Sequence, residues 1–174
     1  MIAVIDYEAG NLTSVKLALE HVGARCVVTR DPEEVAAAER VVFPGVGQAA
    51  VCMANLRRLD LDRAIKGVYA AGKPLLGICV GMQLLFEESE EGASAGRNVA
   101  CLGILPGKVR RFAFPAEQGV KVPHMGWNAV VPTRPHPLLE GVPPRSEAYF
   151  VHSYYVDAAE DGDILARTEY AGMA

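Results

Sequence analysis

The chain has 174 residues, 51% of them hydrophobic and 22% charged, with a formal net charge of −4. That length and composition suit one domain with a substantial core and exclude a disordered chain. Lys and Arg form nothing longer than pairs such as Arg57-Arg58 and Arg110-Arg111, no apolar run approaches the roughly 20 residues of a membrane span, and the cysteines at 26, 52, 79 and 101 contain no Cys-x-x-Cys pair, which argues against nucleic-acid, membrane, zinc and disulfide-framework classes. No metal or cofactor is expected. The start, Met1 to Asp6, lacks a basic leader and reads as a strand, so a reduced, cytoplasmic protein is the economical expectation.

Ile2 to Ile5 is a β-branched, apolar segment that predicts a buried parallel strand. Leu12, Val15, Leu19 and Val22 then share one helical face, closed by Gly23. Cys26 to Thr29 reads as a second strand. Asp31-Pro32-Glu33 reads as an N-cap with proline at the first helical position, opening a short helix through Ala38. Val41 to Phe43 is a third strand, and alternation of strand and helix predicts a doubly wound, mainly parallel sheet. Pro44-Gly45-Val46-Gly47 leaves the carboxyl end of that strand, where open α/β sheets bind ligands; a glycine turn there can offer backbone N–H groups to an anion, although an ordinary connection would read the same way. Leu61, Ala64, Ile65 and Val68 predict a helix that ends at Gly72.

Leu75 to Ile78 predicts a buried strand, Gly77-Ile78-Cys79-Val80-Gly81 a tight turn, and Met82, Leu85 and Phe86 a helix. Strand, turn and helix with a nucleophile at the turn is the layout of a nucleophile elbow, here with a thiol. Glycines at 77 and 81 allow close approach of the flanking elements. Cys79 would lie at a helix N-terminus, which favours thiolate, and the Val80 N–H would face a developing oxyanion. A buried structural cysteine is the competing reading, and the strand before and helix after weigh against it. Beyond Phe86, Glu87 to Gly92 reads as a solvated acidic loop, and the proline-punctuated remainder as short strands, Lys108 to Phe112, Trp127 to Val131 and Ala148 to Val156, forming an antiparallel edge or extension of the sheet.

Five stretches together resemble the triad (class I) glutamine amidotransferases: Asp6-Tyr7-Glu8-Ala9-Gly10-Asn11-Leu12, Pro44 to Gly47, Gly77 to Gln83, Val122 to Asn128, and Tyr149 to Tyr154. The first and fourth resemble more specifically the branch that feeds ammonia to a cyclase subunit, a (β/α)8 barrel, to make imidazole glycerol phosphate and AICAR in histidine biosynthesis. The resemblance implies an open, mainly parallel doubly wound sheet with helices on both faces and an antiparallel extension, over one amidotransferase domain spanning 1–174. It implies that Cys79 attacks the side-chain amide of glutamine to form a thioester and release ammonia. Val80 with Gly45 and Val46 would form the oxyanion hole, and Gly47, Gln83, His152, Ser153 and Tyr154 would line the substrate site. His124, Met125, Trp127 and Asn11 would face the partner in a heterodimer.

Two departures stand out. Glu8 occupies a position where the family usually has glycine. The family's catalytic His and acid lie in a Phe-His-Pro-Glu stretch beyond the Thr168-Glu169-Tyr170 region, and this sequence contains no such stretch. The domain is therefore expected to be incomplete at its C-terminus, and this form is expected to be alkylated at Cys79 but inactive as a glutaminase. His152 is a neighbour of the substrate in the family and not the triad base. A binding subunit that has lost its chemistry, or another cysteine hydrolase of the same fold, are the alternative readings; the Pro123-His124-Met125-Gly126-Trp127-Asn128 stretch disfavours the latter.

Overall fold

Residues 1–174 are described by a computed structural model. Four parallel strands, β1 (Ile2–Ile5), β2 (Cys26–Thr29), β3 (Arg40–Gly45) and β4 (Leu75–Cys79), pair in the order β2-β1-β3-β4. The order reverses after β2. Right-handed crossovers then place α1 (Leu12–His21) on one face and α2 (Pro32–Ala37), α3 (Ala49–Arg58) and α4 (Leu61–Ala70) on the other. The core lies on that second face. Ala3, Ile5, Val41 and Phe43 project from the central strands onto Val35, Met53, Leu56, Leu61, Ile65 and Val68, all essentially excluded from solvent.

Local signals explain the helices. Asn11 caps α1 by accepting from the Ser14 N–H, and Asp31 caps α2 by accepting from Glu33 with Pro32 in the first turn. Helix α3 has no side-chain cap and was not foreseen, because the sequence from Gln48 to Arg58 places its apolar residues without a clean terminal signal. No helix is long and apolar enough to cross a membrane.

Strand β4 corrects one expectation. It is the edge of its sheet, not a buried strand, and Leu76 and Ile78 are exposed. The helix after it is also shorter than the Met82, Leu85, Phe86 spacing suggested: α5 covers Val80–Gln83, and the chain continues in turns through Phe86.

The second half forms sheets separate from the parallel one, where an antiparallel edge or extension of that sheet is the expectation. Strands β5 (Glu88–Ser94), β6 (Arg97–Ala100), β7 (Gly107–Arg111) and β11 (Tyr154–Ala158) pair in the order β11-β7-β5-β6. Strand β8 (His124–Ala129) pairs with β10 (Glu147–His152), and β9 (Val131–Pro132) with β12 (Ala166–Arg167). The acidic stretch is therefore a strand and not a solvated loop. Its carboxylates have donors: Glu87 accepts from the Gly107 N–H, Glu90 from the Arg111 N–H, and Glu88 pairs with Lys108 at 2.7 Å.

A Cβ at Gly81 would land on the Phe43 carbonyl oxygen, a backbone atom that cannot yield, so Gly81→Ala is expected to cost about 3 kcal/mol or more. Gly67, inside α4, has open space around the same added atom, so Gly67→Ala is expected to gain about 0.5–1 kcal/mol. Urea denaturation midpoints of the two variants read both signs.

Candidate active site

Cys79 ends β4 and caps α5 with φ 54° and ψ −120°. A non-glycine residue in that region stores on the order of 1–3 kcal/mol and persists only where its surroundings fix it. They do so here. Cys79 stands beside Gly45 across the β3–β4 ladder, and α5 packs so closely on β3 that a Cβ at Gly45 would meet the Gly81 N–H and the Tyr7 hydroxyl. Cys79 is solvent-exposed at the carboxyl edge of the sheet. Pro44 and Gly45 belong to β3 itself, so only Val46 and Gly47 remain of the expected turn. Val46 holds its carbonyl toward the Cys52 thiol, which donates to it at 3.7 Å.

Gln83 is buried, and its Nε2 donates to the Tyr154 carbonyl at 3.1 Å. The same carbonyl accepts from His152 Nδ1 at 2.8 Å, and the Ser153 carbonyl accepts from the Phe112 N–H at 3.0 Å. Residues far apart in sequence thus converge on one backbone turn. Cys79, Gln83, Phe112, His152 and Tyr154 line a cavity of about 600 Å³. Val80, Gly45, Val46, Gly47 and Ser153 do not line it; Val80 opens α5 directly after Cys79, and Gly45, Val46 and Gly47 lie on the β3 side of Cys79.

Burial, with Cys52 close by, pushes the Tyr7 phenol up. Its hydroxyl is buried against the elbow without a hydrogen-bond partner. Burial also raises the Cys52 thiol and pushes Cys101 up to about 11. Glu91, raised by burial, accepts from the Ala49 N–H beside the Gly47 turn. Sequence reasoning missed Tyr7 and Glu91 as neighbours of the site. Tyr7 follows the first strand at the sheet's switch point, which was a usable signal; Glu91 was hidden in the supposed loop.

Glu8 takes φ 64°, which accounts for the usual glycine there. Its own carboxylate offsets the strain by pairing with Arg30 at 3.4 Å and Arg58 at 2.5 Å.

The residues expected at a partner surface separate. Trp127, 65% exposed, and Met125 project outward from β8. Tyr149 and Val151 project from β10 directly opposite them, and the Trp127 and Tyr149 rings meet edge to face at 5.6 Å. Sequence reasoning missed these last two, although period-2 alternation in Tyr149-Phe150-Val151-His152 was the signal. His124 corrects an expectation: strand alternation turns it inward, and it is only 1% exposed. Asn11 caps α1 and is not part of the β8–β10 hairpin.

A strained thiol turn at the carboxyl edge of an open parallel sheet defines a cysteine-nucleophile enzyme of the α/β class. The model of the glutamine amidotransferase class-I family matches residues 3–173. A solved glutamine amidotransferase shares the fold with a TM-score of 0.71 at 20% identity, over 96% of this chain and 80% of that one. The imidazole glycerol phosphate synthase subunit HisH of Pseudomonas putida is 51% identical, over 97% of this chain and 79% of the relative. That of Nitratidesulfovibrio vulgaris is 47% identical, over 98% of this chain and 79% of the relative. The chain belongs to the class-I glutamine amidotransferases and, within them, to the family of imidazole glycerol phosphate synthase HisH subunits.

Proposed function

We propose that the site is a glutaminase centre in which Cys79 Sγ attacks the side-chain carboxamide carbon of glutamine. The C–N bond breaks, ammonia leaves with a proton, and a γ-glutamyl thioester remains; water then cleaves the C–S bond and frees glutamate. Backbone N–H groups of Val80 and of the Gly45-Val46 segment take up the oxyanion charge, a contribution of about 2.7–4 kcal/mol per donor in such sites. Gly47, Gln83, His152, Ser153 and Tyr154 hold the substrate. The observation that carries this reading is the strained Cys79 turn in register with Gly45 and opening beside the Gln83–Tyr154 contact.

Ammonia protonated in bulk water is no nucleophile, so it passes directly to a partner. That partner is a cyclase subunit with a (β/α)8 barrel fold, which forms imidazole glycerol phosphate and AICAR in the cytoplasm. It docks on Met125 and Trp127, extended by Tyr149 and Val151, with Asn11 as a further contact. The test is alkylation by a chloroketone analogue of glutamine, followed by mass spectrometry. Single labelling at Cys79, slowed by excess free glutamine and absent in Cys79→Ser, is expected. Labelling at a rate indifferent to glutamine would overturn the substrate assignment.

A further inference from the structure

From the substrate wall a chain of polar contacts runs inward through two histidines, neither of which takes part in the bond-making steps at Cys79. His152 Nδ1 meets the Tyr154 carbonyl at 2.8 Å, His152 Nε2 meets His124 Nδ1 at 3.3 Å, and His124 Nε2 meets Asn128 Oδ1 at 2.8 Å. The far end is fixed, because the Asn128 amide donates to the Glu169 carbonyl at 2.9 Å.

A carbonyl only accepts, so His152 Nδ1 carries a proton. Asn128 presents its oxygen to His124, so His124 Nε2 carries one too. Two neutral imidazoles hold two protons, and both are now placed. The inner nitrogens then face each other lone pair to lone pair, which fits their longer separation. One added proton between them completes every contact, and a second has no acceptor.

The surroundings suit a single added charge. The His124 ring lies between Tyr170, stacked at 4.0 Å, and Phe150, stacked at 5.3 Å, and aromatic faces attract a cation. Phe112 packs against both histidines. Tyr170 spends its hydroxyl on the Lys121 carbonyl. The other titratable side chains around the shared cavity are those of Cys79, Tyr149, Tyr154, Tyr155, Asp163 and Arg167, and none of these side chains hydrogen-bonds to either ring. Burial holds His152 below the ordinary imidazole range against the opposing pull of the Tyr154 carbonyl, and His124 lowers it further.

We propose that His124 and His152 are a positioning pair for the Ser153-Tyr154 wall, and that they take up one shared proton, between His124 Nδ1 and His152 Nε2, which tightens their hold on the Tyr154 carbonyl. The inference rests on the reading of that wall as a substrate contact. Protonation turns the His152 Nδ1–H into a charge-assisted donor, roughly twice as strong as a neutral one. The carbonyl it grips is the one that Gln83 also holds. Acidification therefore stiffens the wall and sharpens recognition of glutamine.

The proton count is read by imidazole ¹⁵N NMR of the full chain. The outer nitrogens, His152 Nδ1 and His124 Nε2, are expected to stay protonated throughout, and the inner pair to gain one proton as a unit. Two independent titrations, or an unprotonated outer nitrogen, would overturn the shared proton. The positioning role is read from the ratio of alkylation rates of Cys79 by the chloroketone analogue and by iodoacetamide, which cancels thiol ionisation. From pH 7.5 to 5.5 the ratio is expected to rise about threefold or more in the wild type, and to be lower and flat in His124→Phe, which keeps the stacked ring. A ratio that is flat in both overturns the positioning role. Absence of glutamine protection in the wild type instead overturns the substrate reading, and leaves the NMR proton count standing as a separate result.

Discussion

Ammonia release from glutamine by the 174-residue chain is expected to run at least about 10²-fold below that of a glutaminase whose cysteine has a histidine base, even with a cyclase partner present, because general acid–base help is typically worth 10²–10⁴-fold. The thiol is in place but no base serves it. Of the four histidines, His21 lies in the last turn of α1, and His136 accepts from the Leu138 N–H in an exposed turn. His152 and His124 share the cavity with Cys79, yet their outer ring nitrogens are bound to the Tyr154 carbonyl and to Asn128, and their inner nitrogens face each other at 3.3 Å. No histidine nitrogen is hydrogen-bonded to the Cys79 thiol. Attack on an unactivated amide needs a proton delivered to the departing nitrogen, and nothing on the elbow supplies it. Alkylation makes no such demand, so Cys79 remains reactive toward iodoacetamide while Cys52 and Cys101, whose thiols burial raises, lag behind. A coupled glutamate dehydrogenase assay measures the turnover. Rates comparable to such an enzyme's would show that a group of this chain serves Cys79 as its base.

The parts of the molecule that were legible in the sequence are those where a local rule and the tertiary context agree. Asp31-Pro32 starts a helix in either setting, and Gly-x-Cys-x-Gly between an apolar run and a helical one has few uses besides an elbow. The misreadings come from places where context decides. Leu75 to Ile78 is as apolar as a central strand, but whether a neighbour pairs with its outer edge is a property of the whole sheet. Glu87 to Glu91 looks like a solvated run until the donors that meet it, Ala49, Gly107 and Arg111, arrive from 20 to 42 residues away. His124 illustrates the same point within the site. Its stretch was legible as a recognition element, but only the strand phase shows that Met125 and Trp127 face out while His124 faces in. The convergence of Gln83, His152 and Tyr154 on one carbonyl is a long-range meeting that no sequence spacing encodes.

Replacing Trp127 by alanine is expected to weaken association with the cyclase subunit by at least about 30-fold, the equivalent of about 2 kcal/mol. Trp127 is the largest exposed apolar side chain of the β8–β10 hairpin, and it stands over Tyr149, with Met125 and Val151 paired beside them. Four large apolar groups on one strand face, none of them covered, form a continuous patch of the kind that marks a protein contact. Because the Trp127 and Tyr149 rings touch, Tyr149→Ala should cost less in the Trp127→Ala background than alone, and a double-mutant cycle by titration calorimetry reads that coupling. Leu17, exposed on α1 at the opposite face of the parallel sheet from the core helices, serves as the control, and Leu17→Ala should shift affinity less than twofold. Asn11→Ala separates two roles. As the α1 cap it should lower stability by about 0.5–2 kcal/mol. A loss of affinity beyond that of Leu17→Ala, in protein shown to be folded, would mean that it also touches the partner. Equal affinity for wild type and Trp127→Ala would remove the hairpin from the interface, because a buried tryptophan anchor cannot be truncated without cost.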